Sequence, residues 1–265
     1  MRYVIFSIYL SVTTSLYAAD YDSTYESYQD GDYATAFTGF EQLANQGNMK
    51  AQFYMGTLYR EGNGVEQDYA ASLEWYKKAA EQGEPKAIHN VAMFYHNGIV
   101  VERNFDTAAE WYEQAAAKDY IPSMTNVARL YYSGEGIKQD KDRALHWWRR
   151  AADLGSKGAQ HNMGLMYYIG QGVDQDYIKA AEWYRKAAEK GSKEAQNSLG
   201  AMYFDGKGVE KDLIEAYAWF SLAVEADFEQ AKLNKAVIEA NLDEFEMSQA
   251  RLKADDYIAK FTIDK

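Results

Sequence analysis

An all-α solenoid of stacked helical hairpins is the fold class this sequence predicts, and three observations predict it. Trp75, Trp111, Trp147, Trp183 and Trp219 are each 36 residues apart, and a fixed period of that length marks a repeat array. Within each period the apolar residues recur at helical spacing, not in alternation. Only two prolines interrupt 265 residues, so little breaks a continuous helical reading.

The elements follow in chain order. Arg2 is a short positive start, Tyr3 to Val12 is mostly apolar, and Ser15-Leu16-Tyr17-Ala18-Ala19 offers small residues to a signal peptidase. This is the layout of a secretory signal peptide. Residues 1–18 are read as that peptide, with cleavage after Ala18 or alternatively Ala19; an uncleaved anchor is the other possibility. Ser7, Ser11, Thr13 and Thr14 break the apolar stretch, and no later stretch reads as a membrane span.

Residues 19–47 are read as an N-terminal capping hairpin. Its second helix keeps the array's register, because Asp32 precedes Asp68 by one period and Gly47 likewise precedes Gly83.

Residues 48–227 hold five units without an insertion. In the first, Ala51, Met55, Leu58 and Tyr59 fall on one helical stripe. Gly62-Asn63-Gly64-Val65 is a turn whose glycines permit positive φ. Asp68 then caps a second helix, and its column reads Asp68, Asn104, Asp140, Asp176, Asp212, all good N-caps. Ser72, Trp75, Tyr76, Ala79 and Ala80 share a stripe on that helix, and Gly83 ends it. Val100 replaces a turn glycine, and Asp119 and Asp227 replace helix-ending ones. Residues 228–265 are read as capping helices: Phe228 to Ala240 repeats the first helix, and Asp243 to Phe261 is longer and more polar.

A single hairpin cannot bury such a stripe, whereas a stack can. The alanine columns allow close approach, and the tryptophan and tyrosine columns fill the space between successive hairpins. With no cysteine in the chain, disulfides, thiol catalysis, thiolate metal sites and a lipoprotein anchor are excluded. The formal charge is −12, or about −13 without the first 18 residues. Such a surface repels phosphate backbones and argues against nucleic acid as a partner.

Ala51-Gln52-Phe53-Tyr54-Met55-Gly56-Thr57-Leu58-Tyr59, then Gly62-x-Gly64-Val65-x-x-Asp68, then Trp75-Tyr76-x-x-Ala79-Ala80-x-x-Gly83 resembles the Sel1-like repeat. That family is related to tetratricopeptide repeats, and the resemblance implies an α/α superhelix used as an adaptor in envelope assembly, signalling or host contact. By likeness to tetratricopeptide arrays, the first-helix stripe opposite the core lines a concave groove. Its columns are Phe53, His89, Thr125, His161, Asn197; then Thr57, Met93, Arg129, Leu165, Ala201; then Arg60, His96, Tyr132, Tyr168, Phe204. With Lys50, Lys86, Pro122, Gly158 and Glu194 at its edge, the stripe carries a formal +3, falling to +1 when Glu61 and Asp205 are included. The expected ligand is therefore an extended, partly acidic peptide or a protein helix.

His89, Met93 and His96 are spaced i, i+4, i+7, a pattern that could attract a soft metal. The two imidazoles are about 10 Å apart by helix rise, too far for one ion, so no metal site and no cofactor are expected. No Gly-x-Ser-x-Gly or His-Glu-x-x-His occurs. Some cysteine-rich relatives are labelled β-lactamases, but this chain lacks their cysteines. The sequence thus reads as an exported, monomeric, non-catalytic scaffold, periplasmic or extracellular. A hydrolase and a secreted host-interaction protein are the alternatives.

Overall fold

The computed structural model describes residues 19–262; the signal-peptide reading of residues 1–18 and the last three residues lie outside them. The described residues form fourteen helices in two compact units, one ending at Gln82 and the other starting at Gly83.

The first unit contains α1 (Tyr21–Gln29), α2 (Tyr33–Asn45), α3 (Met49–Glu61) and α4 (Tyr69–Glu81). α1 packs on α2, α2 on α3 and α3 on α4. Phe40, Ala36, Met55 and Leu58 are fully buried between them, and Phe40 stacks on Tyr54 with ring centroids 4.9 Å apart. Gln52 Nε2 donates to the Ala44 carbonyl at 3.2 Å, tying α3 to the last turn of α2.

The second unit contains α5 (Pro85–Asn97), α6 (Phe105–Ala116), α7 (Ile121–Ser133), α8 (Lys141–Asp153), α9 (Lys157–Ile169), α10 (Tyr177–Glu189), α11 (Lys193–Asp205), α12 (Leu213–Glu225), α13 (Glu229–Glu239) and α14 (Glu244–Thr262). Up to α12 each odd helix pairs with the next even one as a hairpin, and each even helix packs on the first helix of the following hairpin. Gln160 and Gln196 repeat the amide link, donating to the Ala152 and Ala188 carbonyls at 3.0 and 3.1 Å.

Local chemistry explains where the helices start and stop. Asp68, Asn104, Asp140, Asp176 and Asp212 all stand at N-caps and accept backbone N–H bonds with their side chains. Each such contact is worth about 1 kcal/mol. Asp119 and Asp227 adopt φ of 62° and 57° where helix-ending glycines stand in other repeats. Aspartate tolerates that region better than most residues. Val100 takes φ 52° in place of a turn glycine, a costlier choice for a β-branched residue.

The core of each of the five repeat hairpins contains one buried aromatic on the second helix and one buried small residue on the first. Tyr76, Tyr112, Trp148, Tyr184 and Phe220 are buried on their second helices. Opposite them the first helices carry Gly56, Ala92, Ala128, Gly164 and Gly200. A Cβ on Gly56 would stand 2.6 Å from the Tyr76 ring, and one on Gly164 2.5 Å from the Tyr184 ring. The small residue sets the distance between helices, and the aromatic fills it.

The array ends irregularly. α14 packs along α12 and not as a hairpin partner on α13. Tyr257 and Phe261 lie on Trp219, centroids 4.8 and 5.7 Å away. Tyr257 donates its hydroxyl to Glu215 at 2.8 Å, and Lys253 pairs with the same carboxylate at 2.5 Å.

Candidate interaction face

The residues left over by this packing lie mainly on the first helices. In the first unit α3 carries Phe53 and Arg60 partly exposed, while Thr57 is buried. The Thr57 hydroxyl is 3.1 Å from that of Tyr76, so it belongs to the hairpin interior. The Arg60 guanidinium is 2.6 Å from the Glu61 carboxylate.

In the second unit α5, α7, α9 and α11 present the same columns. Met93 and Arg129 are exposed; His96, Thr125, Tyr132, His161, Leu165, Tyr168, Asn197 and Phe204 are partly so. His89 is not on the surface. It is buried, with Nδ1 2.8 Å from the Ser123 hydroxyl of the next hairpin, and its ring lies on Tyr112 and Tyr120. The expectation that this imidazole faces solvent or a ligand is thereby corrected. The same correction applies to Thr57. Both columns flank the sector that the neighbouring helix covers.

Burial pushes the His89 imidazole down to about 4. Burial also lowers His96, reinforced by the Arg129 charge, and lowers His161 against the opposing pull of Glu194. All three rings are neutral at neutral pH. The consequence for stability has a definite sign. A His89 pKa lower in the folded than in the unfolded chain means that the unfolded chain binds more protons below pH 6.5. Stability is therefore fullest above that value and falls as the pH drops toward 4. At pH 4.5 the His89 loss is about 2–3 kcal/mol. Urea denaturation at pH 7 and 4.5 checks it. The difference should shrink by that amount in His89→Gln, and an equal pH dependence in both proteins would contradict the assignment.

Turn residues not singled out in the sequence complete the rim. Tyr132 donates its hydroxyl to Gln171 at 2.7 Å, Lys207 Nζ donates to the Tyr168 hydroxyl at 3.2 Å, and Arg129 lies 4.0 Å from Glu135. Glu135, Gln171 and Lys207 occupy one turn column with Asn63 and Ile99. Its variability beside an otherwise regular glycine turn was the available signal. These pairs also change the electrostatics. Arg60 in the first unit and Arg129 in the second each have a carboxylate beside them, so in each unit these arginines are paired charges among aromatics. Exposed pairs of this kind are worth less than about 1 kcal/mol, so a ligand carboxylate can displace them at small cost.

Among the described residues no group of three or more His, Cys, Asp or Glu side chains could hold a metal ion, and no helix is long and apolar enough to cross a membrane.

Hairpins of one length, a core of aromatic-over-small contacts and a variable first-helix face define an α/α helical-repeat solenoid. The chain belongs to the Sel1 repeat family, whose repeat matches residues 50–84, 85–120, 121–156, 158–192 and 193–228. It is similar to a Sel1 repeat protein from Oxalobacter formigenes at 33% identity, covering 78% of this chain and 85% of that one, with a TM-score of 0.75. It is also similar to a protective antigen of uropathogenic Escherichia coli with an SLR fold, at 29% identity and a TM-score of 0.57. That match covers 91% of this chain and 60% of the antigen. No curated protein matches the chain.

Proposed function

We propose that this chain is an exported, non-catalytic interaction scaffold that binds a protein or peptide partner on its first-helix face, in envelope assembly or signalling. The observation that carries the reading is the set of side chains packing leaves unexplained. In the second unit these are Met93, His96, Arg129, Tyr132, His161, Leu165, Tyr168, Asn197 and Phe204; in the first they are Phe53 and Arg60. Aromatic and arginine side chains dominate binding hot spots. The columns that hold them change in chemical type from repeat to repeat, whereas the core columns keep to aromatic, aliphatic or small residues. Partial burial also leaves these aromatics little rotamer freedom to lose on binding.

Capture from an envelope fraction with crosslinking tests the reading. A partner retained by the native chain should be lost with Arg129→Glu and with Tyr132→Ala, both of which should fold. Equal retention by the native chain and both variants would remove this face from consideration. Export is tested separately, by whether the mature protein begins at Ala19 or Asp20.

A second reading, a secreted protein directed at a host, draws support from the 29% identity to the protective antigen. Release into the medium instead of retention in the periplasm would favour it.

A further inference from the structure

The sixth hairpin of the array is half built. α13 continues the first-helix columns in register: Ala231 and Ile238 are fully buried against the preceding hairpin, as Ala51 and Leu58 are in the first repeat. Ala236 stands in the column of Gly56, Ala92, Ala128, Gly164 and Gly200. In three of those hairpins the buried aromatic of the second helix, Tyr76, Tyr184 or Phe220, lies directly against that column. α14 does not do so for α13, because it packs along α12. The side of α13 that should meet a partner is consequently open. Ala236 is exposed although all five of its equivalents are buried, and beside it Leu233, 64% exposed, and Val237, 49% exposed, continue the columns of Phe53 and Thr57.

We propose that α13 accepts, in trans, an amphipathic helix of a partner protein that completes the sixth hairpin. The chain states the chemistry of the occupant five times over. It carries an aromatic residue to lie on Ala236, followed by small residues at the third and fourth positions, as in Trp148-x-x-Ala151-Ala152. The α7–α8 hairpin is the nearest template, since Ala128 there matches Ala236 and is buried in one hairpin with Trp148. α14 in turn leaves the slot vacant for a physical reason. It is held on α12 by the Trp219–Tyr257–Phe261 cluster and by both bonds to Glu215. Swinging onto α13 would forfeit all of these contacts. The slot adjoins the columns of the face proposed above through Leu233 and Val237, but the inference rests on the exposed Ala236 and not on that reading.

The probe is a fluorescent peptide of residues 140–154, the α8 helix with its cap, titrated into the full chain and followed by anisotropy. Saturable binding is expected. It should weaken at least about tenfold with Ala236→Arg, with Val237→Glu, and with a peptide carrying Trp148→Ala. Positions 236 and 237 are exposed, so circular dichroism of both variants should match the parent. No binding, or binding indifferent to Ala236→Arg, would overturn the proposal. So would a concentration-dependent dimer of the native chain dissolved by both Val237→Glu and Leu252→Glu, because a second copy's α14 would then be the occupant.

Discussion

Gly208→Ala is expected to lower the unfolding free energy by about 3 kcal/mol or more, although it adds one methyl group on the surface side of a turn. Two costs combine. The residue sits at φ +69°, where any Cβ is opposed by roughly 1–2 kcal/mol. The added Cβ would also stand 2.1 Å from the Tyr177 carbonyl oxygen and 2.8 Å from the Ile178 nitrogen. These are backbone atoms in the first turn of α10, so they cannot swing aside as a side chain would. Relief requires the turn to lift away from that helix or the helix to lose its first turn. Two controls separate the costs. Gly47 has φ +90° and open space around it, so Gly47→Ala should cost only the dihedral part, about 1–2 kcal/mol. At Gly172 the nearest backbone atom is 3.3 Å away, so Gly172→Ala should fall between. Denaturant melts of the three variants give the order, and a Gly208→Ala protein no less stable than Gly47→Ala would refute the steric argument.

Trp219→Ala is expected to cost about 3–5 kcal/mol and to release α14. The indole is 1% exposed, the most buried of the tryptophan column, because it alone receives Tyr257 and Phe261 from the terminal helix. Removing it empties a large volume and takes away the surface on which α14 lies. The indole N–H has no hydrogen-bond partner, so Trp219→Phe sacrifices no bond and should cost far less, under about 2 kcal/mol. The distinguishing measurement is limited proteolysis. Trp219→Ala should be cut early within α14 while the five repeats persist, since stability in such arrays is a sum over neighbours. Uniform cleavage along the chain would mean instead that α14 and the repeats unfold as one.

How much of this was legible in the sequence depends on whether one helix or two decided the outcome. Helix ends were legible, because capping is local: Asp68 and its four equivalents bond to N–H groups two or three residues away. The core aromatics were legible too, since periodicity reports which stripe is apolar. Thr57 and His89 were misplaced because a helical wheel has only two sides, whereas α3 and α5 are each touched by further helices. Position 57 lies on the flank covered by Tyr76, and His89 is reached by Ser123 from 34 residues away. The terminal helix shows the same limit. Its existence followed from composition, but its choice of α12 over α13 rests on Trp219 meeting Tyr257 and Phe261, a coincidence of three side chains that no local pattern announces. The rim residues Gln171 and Lys207 were missed because turns were read for their glycines.

The glycine turn that touches the preceding helix has a consequence for how such a chain can change over time. Turns are gauged against the start of a helix 31 residues earlier, Gly64 against Tyr33 and Gly208 against Tyr177, so a lone inserted or deleted residue misaligns that contact as well as its own helix. Loss or duplication of a whole period leaves every junction with its accustomed neighbours. The array therefore behaves like a ruler with fixed graduations, and genetic variation in its length should come in steps of one entire unit.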